Sequence, residues 1–174
     1  FLDPTQVAVG PDGNVVVADT GNNRVRWVRM QGDVSDRLDS LVTYDDSSQP
    51  VLTVVGGPRG VDVDSQGTVF ISDTNRSTIG VWRNPCGFRS VSLPTVAGTG
   101  VEGSNYDNIN ATLVQISKPT AIRVERSNSG RRRVFFIDGG KRVRMLTPRN
   151  PSLAAPDDAN WYCGTQGLVS WNRD

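Results

Sequence analysis

The chain has 174 residues, with 19 lysines and arginines against 18 aspartates and glutamates, and no histidine. A formal net charge of +1 excludes a global field drawing it to nucleic acid or an anionic membrane, so any charged site is local. Without histidine it can hold neither a Ser-His-Asp triad, nor a Cys-His pair, nor a histidine-ligated zinc, and no apolar run approaches the roughly 18 residues of a membrane span.

From Pro4 the segment PTQVAVGPDGNVVVADTGNNRVRWV predicts a first strand near Thr5 to Val9, a turn at Pro11-Asp12-Gly13, a continuous apolar strand over Val15 to Ala18 and a second turn at Asp19-Thr20-Gly21. A more polar third strand, Arg24 to Val28, follows, and an outer strand is expected at Leu52 to Val55. The same order recurs from Pro58, in PRGVDVDSQGTVFISDTNRSTIGVW. There the first strand is expected at Arg59 to Asp64, the apolar run at Val69 to Ile71, the turn at Asp73, the third strand at Thr78 to Trp82 and the outer one at Pro94 to Ala97. It recurs once more from Pro119, in PTAIRVERSNSGRRRVFFIDGGKRVRML, with strands at Thr120 to Glu125, Val134 to Ile137, Arg142 to Leu146 and Leu168 to Trp171.

Self-similarity on the order of 50 residues signals a propeller, solenoid or array, and four antiparallel strands make one propeller blade. The expectation is therefore an all-β chain of three four-stranded blades, a partial propeller. Residues 1–57 form blade one, 58–98 blade two, 99–118 the interblade crossover and 119–174 blade three with an irregular C-terminal loop.

The first unit resembles an NHL-repeat blade almost position by position. VAGTGVEGSNYDNINATLVQISKPTAI, Val96 to Ile122, resembles the glycine-rich outer strand and crossover that link blades in that family. The likeness runs from about Pro4 to Leu146. It weakens at Asn75-Arg76-Ser77-Thr78, where the family usually has Gly-Asn-Asn-Arg, and is lost after Leu146. The resemblance implies a ring usually of six blades, of which three would be half. It also implies three functional classes: an interaction scaffold, an RNA binder using a basic face, or a segment of a lyase or hydrolase with a channel metal.

Asp19-Thr20-Gly21 also spells the loop of an aspartic protease, whose two carboxylates share a proton. Its counterparts are Asp73-Thr74-Asn75 and Asp138-Gly139-Gly140, one per repeat, on neighbouring blades rather than face to face. Asp19, Asp73 and Asp138 therefore read as turn residues that accept hydrogen bonds locally. Asp62 and Arg123 hold the same place in successive first strands and are expected to pair across blades. Arg131, Arg132 and Arg133 are the candidate phosphate contacts. Asp62, Asp64 and Glu125 are the carboxylates a channel calcium would use, but first-strand charges more often pair with one another, so no cofactor is expected.

Cys86 and Cys163 are expected to form a disulfide, and the sequons at Asn75 and Asn110 to carry glycans. Together they favour an extracellular or surface location over a cytoplasmic one. The start at Phe1 reads as a processed chain or a segment of something longer. An open stack would expose Val7, Val9 and Val15 to Val17 at one end and Phe135 and Phe136 at the other. The predicted role is a non-enzymatic scaffold, with protein partners or further blades completing the propeller.

Overall fold

The computed structural model describes residues 1–28, 30, 38–42, 56–82, 93–104, 107–125, 132–148 and 161–164, with 38–42 and 161–164 described through their backbone. Among these residues the chain is nearly all β, in three antiparallel sheets. The first sheet runs β1 (Pro4–Val9), β2 (Val15–Asp19), β3 (Arg24–Val28), β4 (Leu38–Val42). The second runs β5 (Pro58–Val63), β6 (Val69–Asp73), β7 (Thr78–Trp82), β8 (Thr95–Ala97). The third is built from β10 (Ile122–Val124), β11 (Val134–Asp138), β12 (Arg142–Pro148) and β13 (Trp161–Gly164), with β9 (Ile109–Asn110) added to the far edge of β13.

The repeat is visible in local geometry. The β1–β2 and β5–β6 hairpins each place a glycine, Gly13 or Gly67, at φ 79°, a conformation glycine adopts without steric cost. Asp12 Oδ1 accepts from Asn14 N across the first of these turns. Both sheets also shift register at their start, between Pro4 and Gln6 and between Pro58 and Gly60.

Two outer strands lie elsewhere than the sequence reading put them. The edge of the first sheet is Leu38–Val42, and that of the third pairs Trp161–Gly164 with β12, whereas Leu52 to Val55 and Leu168 to Trp171 fall outside the described residues. The segment read as an irregular C-terminal loop thus contributes a strand, and the crossover contributes another. Neither the LDSLV nor the WYCG segment carries the apolar alternation by which strands are found; the pairing partner supplies the order.

Side chains alternate with period two, and the faces they form stack the sheets. Ala8, Val16, Ala18 and Val25 pack on Val61, Val63, Val69, Ile71 and Trp82 of the second sheet. Trp27 meets Trp82 edge to face at 5.7 Å and 60°. The opposite face of the second sheet, with Phe70, Ile79 and Val81, packs on Ile122, Val124, Val134, Phe136 and Leu146, joined by Ala111, Val114 and Ile116 of the crossover. Among the strands whose side chains are described, only β6 is therefore buried at every position, while β2 and β11 alternate. Each fully buried Phe or Ile contributes about 1.5–3 kcal/mol, so the middle sheet is held from both sides.

This alternation corrects the expected end faces. Val16 and Phe136 point into the stack and are buried, because they sit one residue out of phase with their exposed neighbours. The bare face of the first sheet carries Val7 and Val9, 58% and 50% exposed, with half-buried Val15, Val17 and Val28. That of the third carries Val143, 50% exposed, beside half-buried Phe135, Ile137 and Met145.

Candidate functional site

The aspartates that end β2, β6 and β11 are buried and make equivalent contacts. Asp19 Oδ1 accepts from Leu2 N at 2.7 Å, Asp73 Oδ2 from Gly56 N at 2.8 Å, and Asp138 Oδ1 from Ser117 N at 2.5 Å. Each N–H belongs to the segment that leads into the same blade, so the carboxylate clamps its own entry; a hydrogen bond to a charged group contributes about 1.5–3 kcal/mol. The following residue reaches the other way. Thr20 Oγ1 donates to the Pro58 carbonyl and Thr74 Oγ1 to the Pro119 carbonyl, both at 2.6 Å. In blade three this position is Gly139, which has no hydroxyl. Each carboxylate is taken up by its own blade, an arrangement for holding chain segments rather than for sharing a proton.

The three clamps differ in charge. Asp19 meets Arg26 Nε at 2.9 Å, and Asp138 meets Arg144 Nη1 at 3.2 Å. In blade two the residue in the register of Arg26 and Arg144 is Gly80. A Cβ there would run into Leu93 Cδ2 at 2.6 Å, so a leucine fills the volume a guanidinium takes in the other blades. Arg76, 3.9 Å from Asp73 and half exposed, is a weak substitute.

Burial pushes the Asp73 carboxyl up, and the N–H groups of Gly56 and Arg76 and the Arg76 charge offset only part of this, so its pKa stays above the ordinary value. Burial also pushes Asp19 up, but the bonds from Leu2 N, Asn22 and Arg26 outweigh it and its pKa falls below the ordinary value. Asp19 thus adds stability that is present above the unfolded pKa of about 4 and is lost as pH falls through its lowered folded pKa. Asp73 has the opposite sign: its protonated form is favoured by folding, so stability declines as pH rises from about 4 through the raised folded pKa. A carboxyl-carbon NMR titration downward from neutral pH should find Asp73 protonating first and Asp19 well after it. The reverse order would contradict this assignment of charges.

Along the inner strands, Gln6 spans three blades: its Nε2 donates to the Val61 carbonyl at 2.9 Å and the Ile122 carbonyl at 2.8 Å, and its Oε1 accepts from Ile122 N at 3.4 Å. Asp62 lies 3.6 Å from Arg123 Nη1. The two are unequal partners, since Arg123 is 72% exposed and Asp62 only 1%. The stronger bonds of Asp62 run to backbone, from Val124 N at 2.8 Å and Val63 N at 2.9 Å. Asp62→Ala is expected to lower stability by about 1–3 kcal/mol, whereas Arg123→Ala should be nearly silent. Equal losses in thermal melts of the two variants would show that the ion pair, not the backbone clamp, dominates.

Of the three candidate phosphate contacts, Arg131 lies outside the described residues. Arg132 Nε sits 3.4 Å from Asp64 of the second blade and Arg133 Nε donates to Glu125 of its own blade at 2.6 Å, so both are engaged. Glu125, half-buried, is held below its ordinary pKa by Arg133. Among the described residues no group of three or more acidic or cysteine side chains is arranged to hold a metal ion.

Asn75 is exposed and donates to the Gly56 carbonyl at 2.5 Å. Asn110 Oδ1 accepts from Thr112 N at 3.1 Å and from its hydroxyl at 2.9 Å. Cys86 lies outside the described residues. Cys163 is in β13, opposite Leu146 and Ile109, rather than in a loop, and no disulfide is seen among the described residues. Sequence reasoning missed the paired pockets beside the aspartate turns. One, of about 390 Å³, is lined by Asp73, Asn75, Arg76 and Leu93; the other, of about 560 Å³, by Glu102, Ser117, Lys141 and Arg142.

The repeated clamp, strand order and hairpin glycines define one structural unit used three times. Over the first two of these units, at residues 1–28 and 56–82, the sequence matches the NHL repeat. The chain carries NHL repeats. The third NHL-like unit, from Pro119, lies beyond the matched residues and shares the sheet order and the aspartate clamp. No curated protein matches in sequence. Solved structures similar to this chain include a candidate phosphatase of Bacteroides thetaiotaomicron, with TM-score 0.60, 12% identity, and coverage of 92% of this chain and 35% of that one. An auxiliary nutrient binding protein of the same bacterium matches with TM-score 0.57 and 15% identity over 82% of this chain and 33% of that one. Virginiamycin B lyase of Staphylococcus aureus matches with TM-score 0.52 and 11% identity over 96% and 42%. At such identities the likeness shows the fold alone, a stack of propeller blades. The chain spans at most about two fifths of the length of these solved chains.

Proposed function

We propose that this chain is a non-enzymatic interaction scaffold, one part of a larger assembly or multi-domain polypeptide at the cell surface or outside the cell. The observation that carries the reading is the pair of bare apolar sheet faces, Val7 and Val9 at one end and Val143 with Phe135 and Met145 at the other. Contiguous apolar surface rimmed by polar residues marks a face that binds something. Each internal contact joins one face of a blade to the opposite face of the next, so both ends present the kind of surface that the stack itself uses. Ion pairing of Arg132 and Arg133 weighs against RNA binding, and the absence of histidine against the zinc chemistry of some propellers.

Sedimentation of the chain across a range of concentrations tests this. Association, or binding to a co-purified partner, is expected, and a compact stable monomer at all concentrations would contradict the scaffold role. The extracellular assignment brings glycans at Asn75 and Asn110 and a Cys86–Cys163 bridge. Mass measurement before and after glycosidase, with alkylation of the unreduced protein, tests these separately.

A further inference from the structure

The pocket of about 560 Å³ in blade three lies between the crossover and the turn that joins β11 to β12. Its size is that of a small-molecule site. Among the described residues that line it there is no apolar side chain: Glu102, Ser104, Ser117, Asp138, Lys141 and Arg142 face it, with two glycines between them. Such a wall offers hydrogen bonds and charge, and nothing to a hydrophobic ligand.

The two carboxylates of this wall are already paired. Asp138 meets Arg144 Nη1 at 3.2 Å and accepts from Ser117 N at 2.5 Å; Glu102 accepts from Ser117 Oγ at 3.0 Å and lies 3.5 Å from Lys118 Nζ. The two cations are not. Arg142 donates to the Ser104 hydroxyl, a neutral acceptor, and meets no carboxylate among the described residues, while the exposed Lys141 side chain has no hydrogen-bond or ion-pair partner among them. Adjacent like charges repel, and an anion set between them relieves that cost. The blade fold does not demand this pair: the register places Asn23-Arg24 there in blade one and Ser77-Thr78 in blade two. The matching pocket of blade two holds an apolar Leu93, and its cation, Arg76, is turned to Asp73.

We infer that the blade-three pocket binds a small polyhydroxylated anion, a monosaccharide carrying a phosphate or sulfate ester. The ester oxygens sit on Lys141 and Arg142, where the guanidinium supplies two parallel bonds and the ammonium a point charge. The sugar hydroxyls take the rest of the wall. Ser104 Oγ accepts from Arg142 and keeps its own proton to donate, and the Glu102 carboxylate, with more lone pairs than its present partners use, accepts. The site involves neither bare end face, so it stands or falls separately from the scaffold reading.

Glucose 6-phosphate and glucose 6-sulfate, titrated into the whole nitrogen-15-labelled chain and followed by amide NMR, test this, with glucose and inorganic phosphate as controls. Saturable shifts at Ser104, Ser117, Gly139 and Lys141 are expected with at least one ester, and the tighter ester identifies the group the pocket takes. Lys141→Gln and Arg142→Gln should each weaken that ester about tenfold, the factor of one lost charge-assisted bond. Glu102→Gln should weaken the ester and leave the poorer binding of inorganic phosphate unchanged. The Lys141 side chain makes no internal contact of its own, so its variant keeps the fold and carries the test alone if the other two do not. Failure of both esters to saturate, shifts centred on other residues, or binding indifferent to Lys141→Gln overturns the assignment. Inorganic phosphate or glucose binding as tightly as the esters also overturns it, since the pocket would then read only half of the ligand.

Discussion

Arg144→Ala is expected to cost about 3–5 kcal/mol and to loosen the third sheet before the other two. Arg144 is 1% exposed and, among the described residues, the largest side chain enclosed by the fold. Its guanidinium meets Asp138 at 3.2 Å, Asp107 at 2.8 Å and the Gln115 carbonyl at 2.9 Å. Truncation leaves the carboxylate of Asp138, itself enclosed, without its cation, and removing one partner of a buried pair is far more damaging than the net contribution of the intact pair implies. It also frees the crossover, since Gln115 and Asp107 lose their hold on β12. Arg144→Met keeps most of the volume and should recover only the packing part. Adding Asp138→Asn to it should recover more, because the orphan charge is then gone. Urea denaturation reads all three, and a loss under about 1 kcal/mol for Arg144→Ala would mean that solvent reaches Asp138.

Gly60→Ala is expected to destabilise by about 2–3 kcal/mol, a large effect for one methyl group. A Cβ at Gly60 would overlap the Thr120 carbonyl oxygen and come within 2.6 Å of Ser72 Oγ and 2.9 Å of Ile122 N. Two of these atoms are backbone of the neighbouring blade, where Ser72 Oγ also donates to the Thr120 carbonyl. The only relief is to move the third blade off the second, which opens the shared core around Phe70 and Phe136. Gly13→Ala makes a useful contrast: nothing lies within 4 Å of the added atom, but φ is +79°, so the cost is local strain of about 1 kcal/mol. If the two variants melt alike, the blades are not in the close contact described.

The blades were legible in the sequence because their inner three strands carry short-range signals. Val69 to Ile71 is apolar throughout and its strand is buried on both faces, and Asp19, Asp73 and Asp138 recur at the end of the second strand. The fourth strands carry no such signal. LDSLV and WYCG become strands because β3 and β12 present unpaired edges, a long-range cause that periodicity does not reveal. The same holds for the clamps. That aspartate favours a turn could be read from its chemistry, but that each one reaches back to Leu2, Gly56 or Ser117 depends on how the chain closes on itself. The exchange of an arginine for Gly80 with Leu93 was invisible for a related reason, since the leucine that fills the gap comes from the segment leading into β8.

A repeat stack is ordinarily a one-dimensional array, in which each unit senses only its immediate neighbours and stability is a sum of unit and interface terms. Gln6 breaks that rule. By bonding to both Val61 and Ile122, a single amide couples the first blade directly to the third, adding a next-nearest-neighbour term. The consequence is cooperativity: partial unfolding from the far end exposes polar groups at the near end, so stepwise loss of blades is disfavoured. The stack should melt as one calorimetric unit, and Gln6→Leu should broaden that transition into resolvable steps rather than simply lower it.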